Sequence, residues 1–120
     1  MRKTTAMAAA AATWFAIGTA HADEIKIGVL YPTSGGGAIY GVPAMEGHDM
    51  AVEEINAAGG INGMKLVSFA RDTKLNPSAA SAAAKELVTK EGVDVLIGGL
   101  SSAVGLAISE VAKQEGVVYI

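Results

Sequence analysis

The sequence predicts an α/β fold, a parallel sheet flanked by helices in the order β-α-β-α-β-α-β. Three observations carry this expectation. Short apolar runs alternate along the chain with longer stretches of helical periodicity. The runs are apolar at successive positions, as strands covered on both faces require. Turn residues separate the segments at nearly every junction. Each strand-helix-strand crossover is expected to be right-handed.

Ile25-Lys26-Ile27-Gly28-Val29-Leu30 reads as the first strand, followed by a glycine-rich loop over 31–39. A helix is predicted over 40–58, with Ala44, Met45, His48, Ala51, Val52 and Ile55 inward and Glu46, Asp49, Glu53 and Glu54 outward. Gly59-Gly60 ends it in the left-handed conformation that glycine adopts at little cost. Asn62-Gly63 marks a tight turn into a second strand over 65–70, and 71–76 reads as a polar loop. Asn76-Pro77 opens a second helix, with Asn at the N-cap and Pro at the first helical position. Its buried face is Ala80, Ala83, Ala84, Leu87 and Val88, and Glu86 and Lys90 are spaced for a weak i,i+4 pair. A third strand follows over 93–97, then Gly98-Gly99. Ser101 or Ser102 caps a third helix running to about 115, with Val104, Ala107, Ile108 and Val111 inward, and a fourth strand starts at Val117.

Ahead of this alternation, Arg2 and Lys3 precede an apolar run over 6–17, and Ala20-His21-Ala22 precedes the acidic Asp23-Glu24. That is the layout of a secretory signal peptide, with small residues at the −3 and −1 positions of a cleavage site between Ala22 and Asp23. The run is about 12 residues, against the roughly 20 that span a bilayer. The domain expectation is therefore a signal peptide over 1–22 and a mature chain over 23–120 that works outside the cytoplasm. The apolar end, Val117-Val118-Tyr119-Ile120, reads as an opening buried strand, so 23–120 is expected to be part of a longer protein.

Without Arg2 and Lys3, seven basic residues face twelve acidic ones, a net charge of −5. A mildly acidic chain with no basic cluster is a poor match for nucleic acid, whose binding rests on Lys and Arg neutralising phosphates. The chain has no cysteine, which excludes disulfides, zinc-thiolate sites, a thiol nucleophile and lipid attachment at a cysteine after the signal. No second apolar run is long enough to span a membrane, so the mature chain is expected to be soluble.

In open parallel sheets, ligands bind at the carboxyl ends of the strands. That rule selects the loops at 31–40, 71–76 and 98–102. In the last, Ser101 and Ser102 beside Gly98-Gly99 open a helix, offering hydroxyls and free N–H groups where the helix dipole favours an anion such as a carboxylate. Ser101 or Ser102 serves equally as a plain N-cap. The glycines at 35–37 and Gly41 fall near a dinucleotide fingerprint, but Tyr40 takes the third glycine's place and Asp72 lies too far along for a ribose contact. No nucleotide or other cofactor is expected. Tyr40 either lines a cleft or packs on the sheet edge; Asp72 orients loops or is simply solvated. His48 has no second ligand at metal spacing and reads as a packing residue. There is no G-x-S-x-G elbow and no triad-like spacing, so nothing points to catalysis.

The residues 25–35, Ala38-Ile39-Tyr40-Gly41, Gly47, and 51–63 resemble the periplasmic leucine/isoleucine/valine-binding protein family, with 56–63 the most specific motif. Asp72 with Pro77 and Ala80, and Ile97-Gly98-Gly99-Leu100-Ser101-Ser102, continue the likeness in register, which covers essentially all of 25–120. The resemblance implies a two-lobe periplasmic binding fold of which this chain is the opening part of the first lobe. It implies the substrate-binding component of an ABC-type importer, a monomer that hands a small ligand, foremost a branched-chain amino acid, to a membrane permease. By the same resemblance Ser102, with Ser101 adjacent, binds the ligand's α-carboxylate, and Tyr40 lines its side-chain pocket. The three-glycine run replaces larger residues of the family, which leaves an amide, urea or aromatic acid as alternative ligands, or a sensor role. An exported α/β enzyme is the alternative of a different class.

Overall fold

In a computed structural model, residues 23–120 are described. The expected signal segment and Ala22 lie outside them; Asp23, the expected first mature residue, is exposed and precedes the first strand. Strands β1 (Glu24–Tyr31), β2 (Lys65–Asp72), β3 (Val95–Gly98) and β4 (Val118–Tyr119) form one sheet in the order β2-β1-β3-β4. All three strand pairs are parallel. Helices α1 (Ala38–Ala57), α2 (Pro77–Glu86) and α3 (Ser102–Glu115) make the connections. The expected α/β class and element order hold.

Strand period places the helices. Gly28 and Leu30 face α2 and α3, where Leu30, Ala80, Ala84, Leu87, Leu96, Val104 and Ile108 form a core closed to solvent. A Cβ at Gly28 would meet Leu96, Leu87 and Val93 at 2.7–3.2 Å, so glycine here lets that core close on the strand. Ile27, Val95 and Ile97 face the other way, toward α1. Cover on that side is thinner: His48, Val52 and Ile55 are half-buried, and Ala51 is exposed although the helical stripe places it inward. A cavity of about 190 Å³ with apolar walls lies there, bounded by Ile27, His48, Val52, Val95, Ile97 and Ile120. Ala51 borders it, which explains its exposure.

Several boundaries differ from the sequence reading, each for a local reason. Gly35–Gly37 forms a 3-10 turn that runs straight into α1, so the helix starts at Ala38 and Tyr40 sits in its first turn. β2 continues through Arg71 and Asp72, read from sequence as loop, because both pair in register with Leu30 and Tyr31 of β1. β3 starts at Val95 instead of Val93. The Val93 N–H turns back to Leu87 O at 3.3 Å, and Asp94 spends its N–H on Lys26 O and its carboxylate on Lys26 N–H. α2 ends in a π-helical turn, Leu87–Glu91, closed by Gly92 in the left-handed conformation. β4 begins one residue late, at Val118.

Two joints fix α1 against β2. The Asn56 side chain donates to Leu66 O at 2.9 Å and accepts from Leu66 N–H at 2.8 Å, imitating a strand partner. The Ile61–Met64 turn that follows carries positive φ at Asn62 and Gly63, the pattern of a two-residue hairpin turn. On the opposite face, Arg71 Nη2 bridges Glu86 at 3.1 Å and Glu91 at 2.8 Å, tying the edge strand to α2 and its π turn. The expected Glu86–Lys90 pair is present at 3.9 Å, but Arg71 is the nearer partner of Glu86.

Candidate functional site

The carboxyl ends of β1, β2 and β3 open onto three loops, and each carries a residue singled out from sequence. The turn after β3 is the most constrained. Gly98 and Gly99 have φ of 123° and 91°, values that side chains rarely adopt, and a Cβ at Gly98 would lie 2.3 Å from Leu30 O. The turn is anchored by Gly99 N–H to Leu30 O at 2.7 Å and by Gly98 N–H to Ile120 O at 3.3 Å.

The N-cap role, left open between Ser101 and Ser102 by the sequence, falls to Ser101. Ser101 is the N-cap: its Oγ accepts from Val104 N–H at 3.4 Å and its carbonyl starts the helix by accepting from Gly105 N–H at 2.9 Å. Ser102 is the first helical residue, exposed, and its Oγ has no hydrogen-bond partner among the described residues. The N–H groups of Ser102 and Ala103 precede the first intrahelical bond, at the positive end of a 14-residue helix. The turn therefore presents donors suited to an anion.

The loop after β1 is held from β2. Asp72 Oδ1 accepts from Thr33 N–H at 2.9 Å and from Lys74 N–H at 2.8 Å, while Oδ2 accepts from Ser34 Oγ at 2.5 Å. The Ser34 hydroxyl is the chief reason that the Asp72 carboxyl lies below the usual carboxylate range. Of the two sequence readings of Asp72, the loop-orienting one holds. This latch sets the entry to α1, where Tyr40 is 64% exposed instead of packed on the sheet edge. Gly41 beneath it abuts the chain so closely that a Cβ would lie 1.8 Å from Pro32 O.

His48 is away from these loops. Its Nε2 hydrogen-bonds Ser68 Oγ at 2.8 Å under the middle of α1, a packing role as expected. Among the described residues no cluster of three His, Cys, Asp or Glu could hold a metal, and no helix is long and apolar enough to cross a membrane. The apolar cavity beneath α1 includes neither Tyr40 nor Ser102. Sequence reasoning missed Tyr119, whose hydroxyl donates to Gly98 O at 2.7 Å. Burial pushes its phenol pKa up. An aromatic in an apolar strand gives no hint of this bond; only the facing Gly98-Gly99 pair could have suggested room for it.

A parallel sheet covered by helices, with its loops gathered at the carboxyl ends of the strands, is the α/β architecture in which ligands bind at that edge. Comparison with known proteins gives the class a family. Residues 24–120 match the family model described as periplasmic binding protein. A Leu/Ile/Val-binding protein homologue of Brucella abortus is 39% identical over 101 residues, covering 84% of this chain and 25% of the relative. The branched-chain amino acid transporter substrate-binding protein LivJ of Streptococcus pneumoniae, solved with isoleucine, superposes with a TM-score of 0.78 at 35% identity, covering 81% of this chain and 28% of that one. The leucine-binding protein LivK of Thermotoga maritima gives 0.72 at 32% identity, covering 79% and 26%. The chain belongs to the periplasmic binding protein family, of the leucine/isoleucine/valine-binding type. It spans about a quarter of the length of the curated relatives that it matches.

Proposed function

We propose that this chain is the ligand-gripping opening part of the first lobe of a periplasmic substrate-binding protein, exported by residues 1–22 and cleaved between Ala22 and Asp23. The whole protein captures a small amphipathic metabolite, foremost a branched-chain amino acid, and delivers it to the membrane permease of an ABC-type importer without chemical change. Ser102 donates its hydroxyl and N–H to the ligand's α-carboxylate, Ser101 shapes the helix start around it, and Tyr40 covers the ligand's side chain. A second lobe closes over the ligand, which excludes water and shifts the open-closed equilibrium. The protein acts as a monomer.

The observation that carries this reading is the division of labour between the two serines. The Ser101 Oγ accepts the capping bond from Val104 N–H, and Ser102 is exposed beside it with its hydroxyl without a partner among the described residues. The relatives' printed ligands, branched-chain amino acids and isoleucine, are of the chemistry that such a turn accepts.

The test is thermal unfolding of the full-length protein against the amino acids, with amides, urea and aromatic acids as further arms. L-leucine, L-isoleucine or L-valine should raise the unfolding temperature, and Ser102→Ala should weaken binding by about 1–3 kcal/mol. Stabilisation by an amide, urea or an aromatic acid alone would reassign the ligand. An unchanged affinity in Ser102→Ala would remove the site assignment. Turnover of any ligand into product would replace the transport reading with an enzyme.

A further inference from the structure

The turn that presents Ser102 is built from two glycines at positive φ, and glycine there brings no side chain to hold it. Its carbonyls need an external tether. One comes from outside the turn: Tyr119 in β4 donates its hydroxyl to Gly98 O at 2.7 Å. The phenol fits because its surroundings are small. A Cβ on Gly99 would lie 2.8 Å from the Tyr119 hydroxyl, and one on Gly105, in the second turn of α3, 3.4 Å from it. The hydroxyl thus sits in a notch between the turn and the helix that the turn starts. The backbone around it is fixed: Tyr119 pairs with Leu96, Ile120 N–H donates to Leu96 O at 3.0 Å, and the ring packs on the core containing Ile108 and Leu96.

We propose that Tyr119 is a positioning residue for the ligand's carboxylate, holding the Gly98-Gly99 turn through Gly98 O so that the Ser102 hydroxyl and the free N–H groups keep their aim. This rests on the carboxylate reading of Ser102. Without the tether, Gly98 O is left to water, the turn keeps only the Gly98 and Gly99 N–H bonds, and the donors at the start of α3 lose pre-organisation. The effect should fall on affinity more than on global stability, because removing the hydroxyl keeps the ring in the core and deletes a single hydrogen bond.

The test is Tyr119→Phe in the full-length protein, which keeps the ring and removes only the hydroxyl. Three measurements are made: calorimetric affinity for L-leucine, L-isoleucine and L-valine, the unfolding temperature without ligand, and backbone hydrogen exchange over 97–106. The expected result is a five- to tenfold weaker affinity, an unfolding temperature within about two degrees of the parent, and faster exchange at Gly99 and Gly105 with α2 and β1 unchanged. Affinity within twofold of the parent, or exchange over 97–106 that does not move, overturns the proposal. A broad rise in exchange across the sheet with a large fall in unfolding temperature also overturns it, since Tyr119 would then be a general structural residue. If the parent binds none of the three amino acids, the failure lies with the ligand reading, and the exchange measurement still decides whether Tyr119 holds the turn.

Discussion

Replacing Asp72 by alanine should loosen the β1–α1 loop and lower stability by an amount that depends on pH in a defined direction. The side chain accepts three hydrogen bonds, from Thr33 N–H, Lys74 N–H and Ser34 Oγ, at 2.9, 2.8 and 2.5 Å. Bonds to a charged acceptor are worth about 1.5–3 kcal/mol each when dry. These lie at the surface, where water competes and screens, so a sum of about 2 kcal/mol is the appropriate expectation. Asp72→Asn keeps an acceptor for the backbone donors and should lose about half as much. Because the folded state holds this carboxyl below its usual value of 3.8, the contribution is complete above the unfolded pKa and fades as pH falls through the folded one. Urea unfolding of the full-length parent and Asp72→Ala from pH 8 down to pH 3 is the assay. The gap between them should stay level above about pH 5 and narrow below about pH 4. A gap that is absent at pH 7, or that widens on acidification, would refute the latch.

Asn56→Ala should cost about 2–3 kcal/mol in the same unfolding assay, because it strips both partners from the Leu66 backbone under α1; Asn56→Asp should recover only part, since aspartate accepts from Leu66 N–H but repels Leu66 O. Gly41→Ala should cost about 3 kcal/mol and weaken ligand binding, since a Cβ 1.8 Å from Pro32 O must push the first turn of α1, and Tyr40 with it, off the sheet. A parent-like unfolding midpoint in either alanine variant would contradict the corresponding contact.

Periodicity made the helices legible. Ala80, Ala83, Ala84, Leu87 and Val88, and likewise Val104, Ile108 and Val111, face the core as read, since a long amphipathic segment repeats its signal over several turns, while Ala107 lines a surface groove with Pro77 and Ser81 of α2. Strand ends were less legible. Arg71 and Asp72 look like loop residues, yet each stays in β2 because its side chain has a specific distant partner, Glu86 and Glu91 for one, Thr33 and Ser34 for the other. Pairings across 15 to 39 positions leave no local pattern. Val93 looks like strand for the opposite reason: its composition is right, but its N–H is taken by the π turn. The Ser101-Ser102 ambiguity also needed coordinates, because either hydroxyl can cap and only the backbone angles choose between them.

The energetics of the exposed edge say what else binding requires. Covering the Tyr40 ring would contribute about 2 kcal/mol, a Ser102 bond to a carboxylate about 2, and the helix start under 1. Micromolar affinity needs about 8 kcal/mol, after association has already cost 4 or more. Asp72 and Tyr119 cannot make up the difference, because their hydrogen bonds are spent on holding the loops. On the proposed reading, groups outside residues 23–120 would supply the rest from the open side of the carboxyl edge, where Ser102 and Tyr40 face solvent. The second lobe of the proposed reading, closing on that edge, would meet the requirement. The apolar cavity under α1, bounded by Ile27 and Ile97, has no polar side chain but His48, already engaged by Ser68, and offers a carboxylate nothing to bind.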